Sequence, residues 1–206
     1  MSVVAAQPAT RERLLQAAME LFTTQGYEAT SLAEVLQRAG ANSGSLYYFF
    51  KSKEALLLAG LDFFKALLYP MVMEPPFTRE SDPIERIFAV LAEYRQRLLV
   101  TDTEYECPIG KLALEVGRHS GPARVKIAEN FAAWRAHIRR CLDDAADRLP
   151  LNVDLDGLAT FVLTTMEGAV MQARTHRDMS YYDASISHLR SYFQYLLSEK
   201  SESRNS

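Results

Sequence analysis

Three sets of residues have the types and spacing to do chemistry. The first is Ser43-Gly44-Ser45-Leu46-Tyr47-Tyr48, with Lys53 following. Small hydroxyls, a glycine that admits close backbone approach, phenols and a cation suit the recognition of an extended polar surface better than bond breaking. The second is Cys107, immediately before Pro108. A thiol at the start of a helix is stabilised as thiolate, and a nearby cation adds to that. The third is Glu167 with Arg174, on one face of an otherwise apolar stretch. Charges there are costly unless they are paired or used. Catalytic patterns are missing. His119, His137, His176 and His188 fall in no metal-ligand spacing, and there is no phosphate loop, dinucleotide glycine pattern or nucleophile elbow. The histidines read as surface groups. No catalytic residue, metal or cofactor is expected, and the chain is not expected to be an enzyme.

The first set is held by the stretch from Ser31 to Lys53. Ser31 and Glu34 have the form of a capping box. Leu32, Val35, Leu36 and Ala39 then make one apolar helical face. Gly40 ends that helix, because few other residues accept a left-handed cap. Asn42 caps a second short helix carrying Ser43 to Tyr48, and Ser52 caps the next one. Two short helices about a tight turn, the second rich in small polar and aromatic groups, form a helix-turn-helix pattern. Ser43, Gly44 and Ser45 then stand at the front of its second helix, where side chains reach base edges.

Upstream lies AAMELFTTQGYEATSLAEVLQRAG, and GSLYYFFKSKEAL follows. In this order the first third of the chain resembles the tetracycline-repressor (TetR) family of bacterial transcription regulators. The resemblance implies an all-α protein with an N-terminal three-helix DNA-binding head. A C-terminal helical bundle for ligand binding and dimerisation follows, about nine helices in all. It implies that Ser31, Asn42, Ser43, Gly44, Ser45, Tyr47, Tyr48 and Lys53 face double-stranded DNA, with Tyr47 and Lys53 on phosphates. Phe49 replaces what is often a polar aromatic in the family, which removes one phosphate donor. Ala33 lacks the long basic side chain that some relatives use.

Charge does not advertise this function. The chain carries a net charge of −3. In residues 1–60, five basic residues (Arg11, Arg13, Arg38, Lys51, Lys53) meet five acidic ones (Glu12, Glu20, Glu28, Glu34, Glu54). Binding must then rest on a few local contacts, with neutral donors and helix N-termini contributing. A hydrophobic content of 48% with 24% charged residues suits a soluble globular protein. No uninterrupted apolar run reaches a membrane span, and no secretory signal is expected. Two cysteines, Cys107 and Cys141, make no disulfide framework, so a reducing cytoplasm is expected.

Residues 1–9 read as a flexible tail, 10–55 as the head, 56–200 as the ligand-binding and dimerisation region and 201–206 as a disordered tail. Thr10 is expected to cap the first helix. Pro70, Pro75 and Pro76 are expected to break the helix from Lys53 into a loop. Asp82-Pro83 should open the next helix, and Asp154 or Asp156 a later one.

The segment from Glu106 to Val116, with Glu167 to Arg174, resembles a subgroup of acrylate-responsive and N-ethylmaleimide-responsive repressors. There Cys107 matches the reactive cysteine of the electrophile sensors, and a lysine matches Arg174. Ligand-pocket candidates are Tyr94, Cys107, Phe131, Trp134, Met166, Glu167, Met171 and Arg174. The reading is a repressor that binds a palindromic operator as a homodimer and is released by a small-molecule effector. One alternative is an electrophile or oxidant sensor triggered at Cys107. Another is a helical binding protein or enzyme without DNA function.

Overall fold

The computed structural model describes residues 9–116 and 121–205, the side chains of 201–205 excepted. Thus residues 1–8 of the tail expected at 1–9, and His119, lie outside the described residues. Among the described residues every regular element is helical. In order they are α1 (Thr10–Thr24), α2 (Leu32–Ala39), α3 (Ser43–Phe49), α4 (Lys53–Leu68) and α5 (Glu74–Arg79). Then come α6 (Pro83–Val100), α7 (Pro108–Val116), α8 (Gly121–Asp144), α9 (Leu155–His176) and α10 (Ser180–Asn205). A π-helical turn, Tyr69–Met73, joins α4 to α5, so Lys53–Arg79 is one helical run and the described residues form nine helices.

That run overturns the loop expected at the prolines. Pro70 stands at the start of the π turn, and Pro75 and Pro76 stand in the first turn of α5. Within one continuous run a proline removes an amide donor and crowds the preceding turn, and the wider π turn at Tyr69–Met73 is where the helix accommodates this. Other expectations differ less. Thr10 is the first helical residue, and Ala9 is the cap without a side-chain bond. Helix α10 runs to Asn205, so the polar end expected to be disordered from residue 201 continues the helix.

Capping residues set the remaining boundaries. Ser31 Oγ accepts from the Glu34 amide at 3.2 Å, and Glu34 accepts from the Ser31 amide at 2.7 Å. Gly40 ends α2 with φ +57°, in the left-handed region. Asn42 caps α3 and the Ser52 hydroxyl accepts from the Ala55 amide at 3.0 Å to open α4. Asp82 caps α6 and Asp154 caps α9.

The chain divides into two compact units, Met1–Lys65 with Pro108–Asn130, and Ala66–Cys107 with Phe131–Ser206. The first unit is centred on α1. Its residues Leu14, Leu15, Ala18 and Phe22 are buried, as are Val35, Leu46, Leu56, Leu57 and Leu61 of α2, α3 and α4. Gly60 lets α4 approach α1 closely, since a Cβ there would fall 1.8 Å from the Met19 sulfur. By length and composition Lys53–Arg79 is apolar enough to cross a membrane. However, Asp62 and Lys65 interrupt it and are held by Lys126 and Glu129 at 2.6 Å each. The second unit is a bundle in which α6, α8, α9 and α10 share a core of Ile87, Leu91, Ile138, Val162, Met166 and Phe193.

Asp82 ties two parts of that bundle. Its carboxylate accepts from the amides of Ile84 and Glu85 and from Arg148 at 2.6 Å. Burial works against its charge, but the amides and the guanidinium outweigh it, so its carboxyl sits below the usual aspartate value. Asp82→Ala should cost about 1 kcal/mol, the usual loss of a helix cap. Because the folded value is depressed, this stability is present at neutral pH and is lost as pH falls through the folded value. Thermal melts of both proteins should therefore differ at neutral pH and converge in acid.

Candidate functional site

Two groups of candidate residues lie in different units. The first is on α3. Leu46 is fully buried and seats the helix, which turns Ser43, Gly44, Tyr47 and Tyr48 outward. Tyr47 is 52% exposed and Tyr48 is 75% exposed. For phenol rings in a small packed unit, such exposure is what a contact surface requires rather than a core. Tyr48 stands edge-on to Phe49, with ring centroids 4.9 Å apart. Phe49 thus supports Tyr48, a role that its lack of a polar group had left open. Arg11 stacks over buried Phe50 at 5.4 Å, which fixes the end of α3.

Some of the expected polar groups are already committed. The Ser31 hydroxyl donates to Glu34 at 2.7 Å while accepting in the cap. The Asn42 side chain accepts from the Ser45 amide at 2.8 Å. The Lys53 ammonium lies 4.4 Å from the centre of the Tyr27 ring and donates to the Glu28 carbonyl at 3.3 Å. Each uses its capacity inside the protein, but Lys53 has donors to spare, since an ammonium carries three.

The second group is in the helical bundle. Tyr94, Trp134 and Met166 are buried, and Cys107, Phe131 and Glu167 are half-buried. The Trp134 indole donates to the Tyr94 hydroxyl at 3.0 Å. Tyr105 stands edge-on to Tyr94 at 6.1 Å. Burial, with Cys107 and Tyr105 nearby, pushes the Tyr94 phenol well above its usual value, and burial raises that of Tyr105 as well. Both stay protonated. Since Tyr94 accepts from Trp134, its own proton remains a donor.

Burial raises the Glu167 carboxyl above its usual value, and a hydrogen bond with the Cys107 thiol offsets part of this. Cys141 is buried and its thiol is pushed up to about 11 by burial, so it is a packing residue. Arg174 and Met171 lie away from this cluster's interior. Met171 is 55% exposed, and Arg174 pairs with Glu106 at 3.4 Å. Arg177 pairs similarly with Glu104 at 3.2 Å. Glu167 and Arg174, seven residues apart on α9, therefore take different partners.

Arg97 and Tyr105 were not expected here. The Arg97 guanidinium lies 5.4 Å from the Tyr94 ring centre, and its Nη1 is buried without a hydrogen-bond partner among the described residues. Arg97 follows Tyr94 by three residues on α6, a spacing that places both on one face and could have revealed it. Tyr105 lies in the irregular stretch before Pro108, where periodicity gives no signal. Elsewhere, a groove of about 710 Å³ runs between α9 and α10, lined by Phe161, Tyr192 and Tyr195 among others. It includes none of the expected ligand residues. Among the described residues no cluster of His, Cys, Asp and Glu is placed to hold a metal.

Glu167 yields a test. Because its folded value is raised, its stabilising contribution is present below the unfolded value and is lost as pH rises through the folded one. Glu167→Gln removes the penalty for charge. The variant should melt higher than the wild type at about pH 7.5, and the gap should close towards about pH 4.5. Equal melting temperatures across that range would mean that burial of Glu167 carries no charge cost.

Comparison with known proteins gives a consistent picture. Residues 14–59 match the family described as bacterial regulatory proteins, tetR family, and residues 83–189 match the tetracyclin repressor-like C-terminal domain. A Mycobacterium tuberculosis protein named as an uncharacterized HTH-type transcriptional regulator is 30% identical, over 93% of this chain and 97% of its own. The regulator YxaF of Bacillus subtilis is 29% identical over 82% of this chain and 87% of its own. The crystal structure of reduced Escherichia coli NemR is 26% identical, with a TM-score of 0.77 over 89% of this chain and 96% of that one.

Proposed function

From the premise that this chain belongs to the TetR family, and so is a helix-turn-helix transcription regulator rather than an enzyme, we propose that it is an effector-released repressor. It acts in the cytoplasm as a homodimer on a palindromic operator. The observation that carries this reading is the outward array of Ser43, Gly44, Tyr47 and Tyr48 on a helix whose inner face is sealed by Leu46. Tyr47 and Lys53 supply phosphate contacts. Ser43, Gly44 and Tyr48 lie against the bases, where short side chains leave much of the specificity to DNA shape.

A dimer presents two such helices to half-sites an integral number of helical turns apart. The faces of α9 and α10 support this assembly. Phe161, Met171, Tyr192 and Tyr195 are all exposed, and Phe161 stands edge-on to Tyr192 at 6.0 Å. Apolar groups so concentrated on neighbouring helices are characteristic of an association surface.

The effector sits against Tyr94, Tyr105, Cys107, Trp134 and Glu167, with Arg97 at the edge. The phenol protons and Arg97 Nη1 offer hydrogen-bond donors in an apolar setting, which fits a small, largely apolar molecule carrying an acceptor group. Binding there favours a state that does not hold DNA, and the coupling is reciprocal. The thiol bonded to Glu167 supports a non-covalent effector over a covalent trigger at Cys107.

Tyr47→Phe should bind operator about threefold to tenfold more weakly, as expected for one lost phosphate bond, with melting unchanged. The probe is a duplex recovered by selecting a random-sequence pool on the wild-type protein. Wild-type protein that selects no preferred duplex would overturn the reading. In sedimentation the wild type should be a dimer at micromolar concentration, and Phe161→Glu with Tyr192→Glu should shift it to monomer. A wild-type monomer would rule out the α9–α10 interface.

A further inference from the structure

We infer that Glu115 is a positioning residue for DNA binding: it fixes the Tyr27-Glu28 turn on which Lys53 is held ready for a phosphate. All of these residues lie in one compact unit. The inference rests on Lys53 meeting DNA, as proposed above.

Lys111 and Glu115 are four residues apart on α7, so they share a face. Lys111 donates to the carbonyls of Thr23 and Thr24 at 3.0 and 2.9 Å. These are among the unpartnered carbonyls at the C-terminal end of α1, where a cation is favoured. One turn later, the Glu115 carboxylate accepts from the Tyr27 amide at 2.8 Å and the Glu28 amide at 2.7 Å. Both oxygens are used, on consecutive amides, and bonds to an ionised acceptor are the stronger kind. Gly26 is needed for this fit. Its φ is +102°, and a Cβ there would come within 3.0 Å of the Glu115 carboxylate.

The same turn carries Lys53 from its other side. The Tyr27 ring lies under the ammonium, and the Glu28 carbonyl accepts from it. A free surface lysine must surrender side-chain entropy to hold a phosphate. Held on Tyr27 and Glu28, Lys53 has surrendered much of it already and keeps donors for DNA. Glu115 therefore acts on DNA through Lys53 and does not touch the duplex itself.

Glu115→Gln is the informative variant. Its amide oxygen can accept one of the two N–H groups, but its own NH2 opposes the other. Two readouts are needed. The first, without DNA, is the ring-current shift of the Lys53 side chain in protein labelled at lysine, assigned by its loss in Lys53→Ala. The second is the salt dependence of affinity for the selected duplex. In Glu115→Gln the lysine shift should move towards that of a free lysine. Affinity should fall about threefold to tenfold, and the log–log salt slope should shrink by up to about one, the value for one phosphate. Glu115→Gln combined with Lys53→Ala should bind no more weakly than Lys53→Ala alone, because both remove one contact.

Glu115→Asp, which keeps the charge on a shorter arm, should recover part of the affinity. Additive losses in the double variant, or an unmoved lysine shift in Glu115→Gln, would overturn the positioning role. If Lys53→Ala itself left affinity and slope unchanged while the shift still moved in Glu115→Gln, the fault would lie in the DNA role assigned to Lys53. The inference would then fall as a statement about DNA.

Discussion

A helix ends with amides or carbonyls that have no partner within it. In a chain built from helices, how those groups are met decides where each element stops and what it touches next. Five N-terminal ends here are met locally, by Ser31, Asn42, Ser52, Asp82 and Asp154. The end of α1 is met from a distance. Lys111 takes its last carbonyls and Glu115 takes the amides of the turn that follows. A cation meets the carbonyl end and an anion meets the amides, from one face of one helix. The turn so fixed also seats Lys53, whose ammonium donates to the Glu28 carbonyl.

The helical bundle meets a different constraint. Its core is apolar, yet it holds a Trp–Tyr hydrogen bond, two more polar side chains in Cys107 and Glu167, and a guanidinium edge. Burying such groups costs free energy unless they are bonded. The indole and thiol are bonded within the protein. Arg97 Nη1 is not, among the described residues. A donor left so is costly in a packed core, which is what supports the effector site proposed above. The exposed aromatics of α9 and α10 are a separate feature, suited to another protein surface rather than to a small ligand.

Much of this was legible in the residue order, because capping and helical periodicity are local. The α2 capping box, the left-handed Gly40, the Asn42 cap and the start of α6 at Asp82-Pro83 all stand where their residue types place them. The outward face of α3 was expected only from the family resemblance, and the structure shows Leu46 as its one buried residue. The prolines after α4 misled because a proline inside a helical pattern can bend or widen the helix instead of ending it. Whether it starts a helix or stops one is decided by the backbone around it, here a π turn.

What the sequence by itself determined was most of the helices and the caps at Ser31, Asn42, Ser52, Asp82 and Asp154, since each depends on residues within a turn or two. Only the tertiary structure decided which distant groups meet. Nothing local links Glu115 to Tyr27 and Glu28, 88 and 87 residues away. Nor does spacing show that Arg174 turns to Glu106 while Glu167 turns to Cys107. Those pairings come from the packing of helices far apart in the chain. A charged side chain takes the partner that packing brings within reach, and sequence neighbours on its own helix face compete with that only weakly.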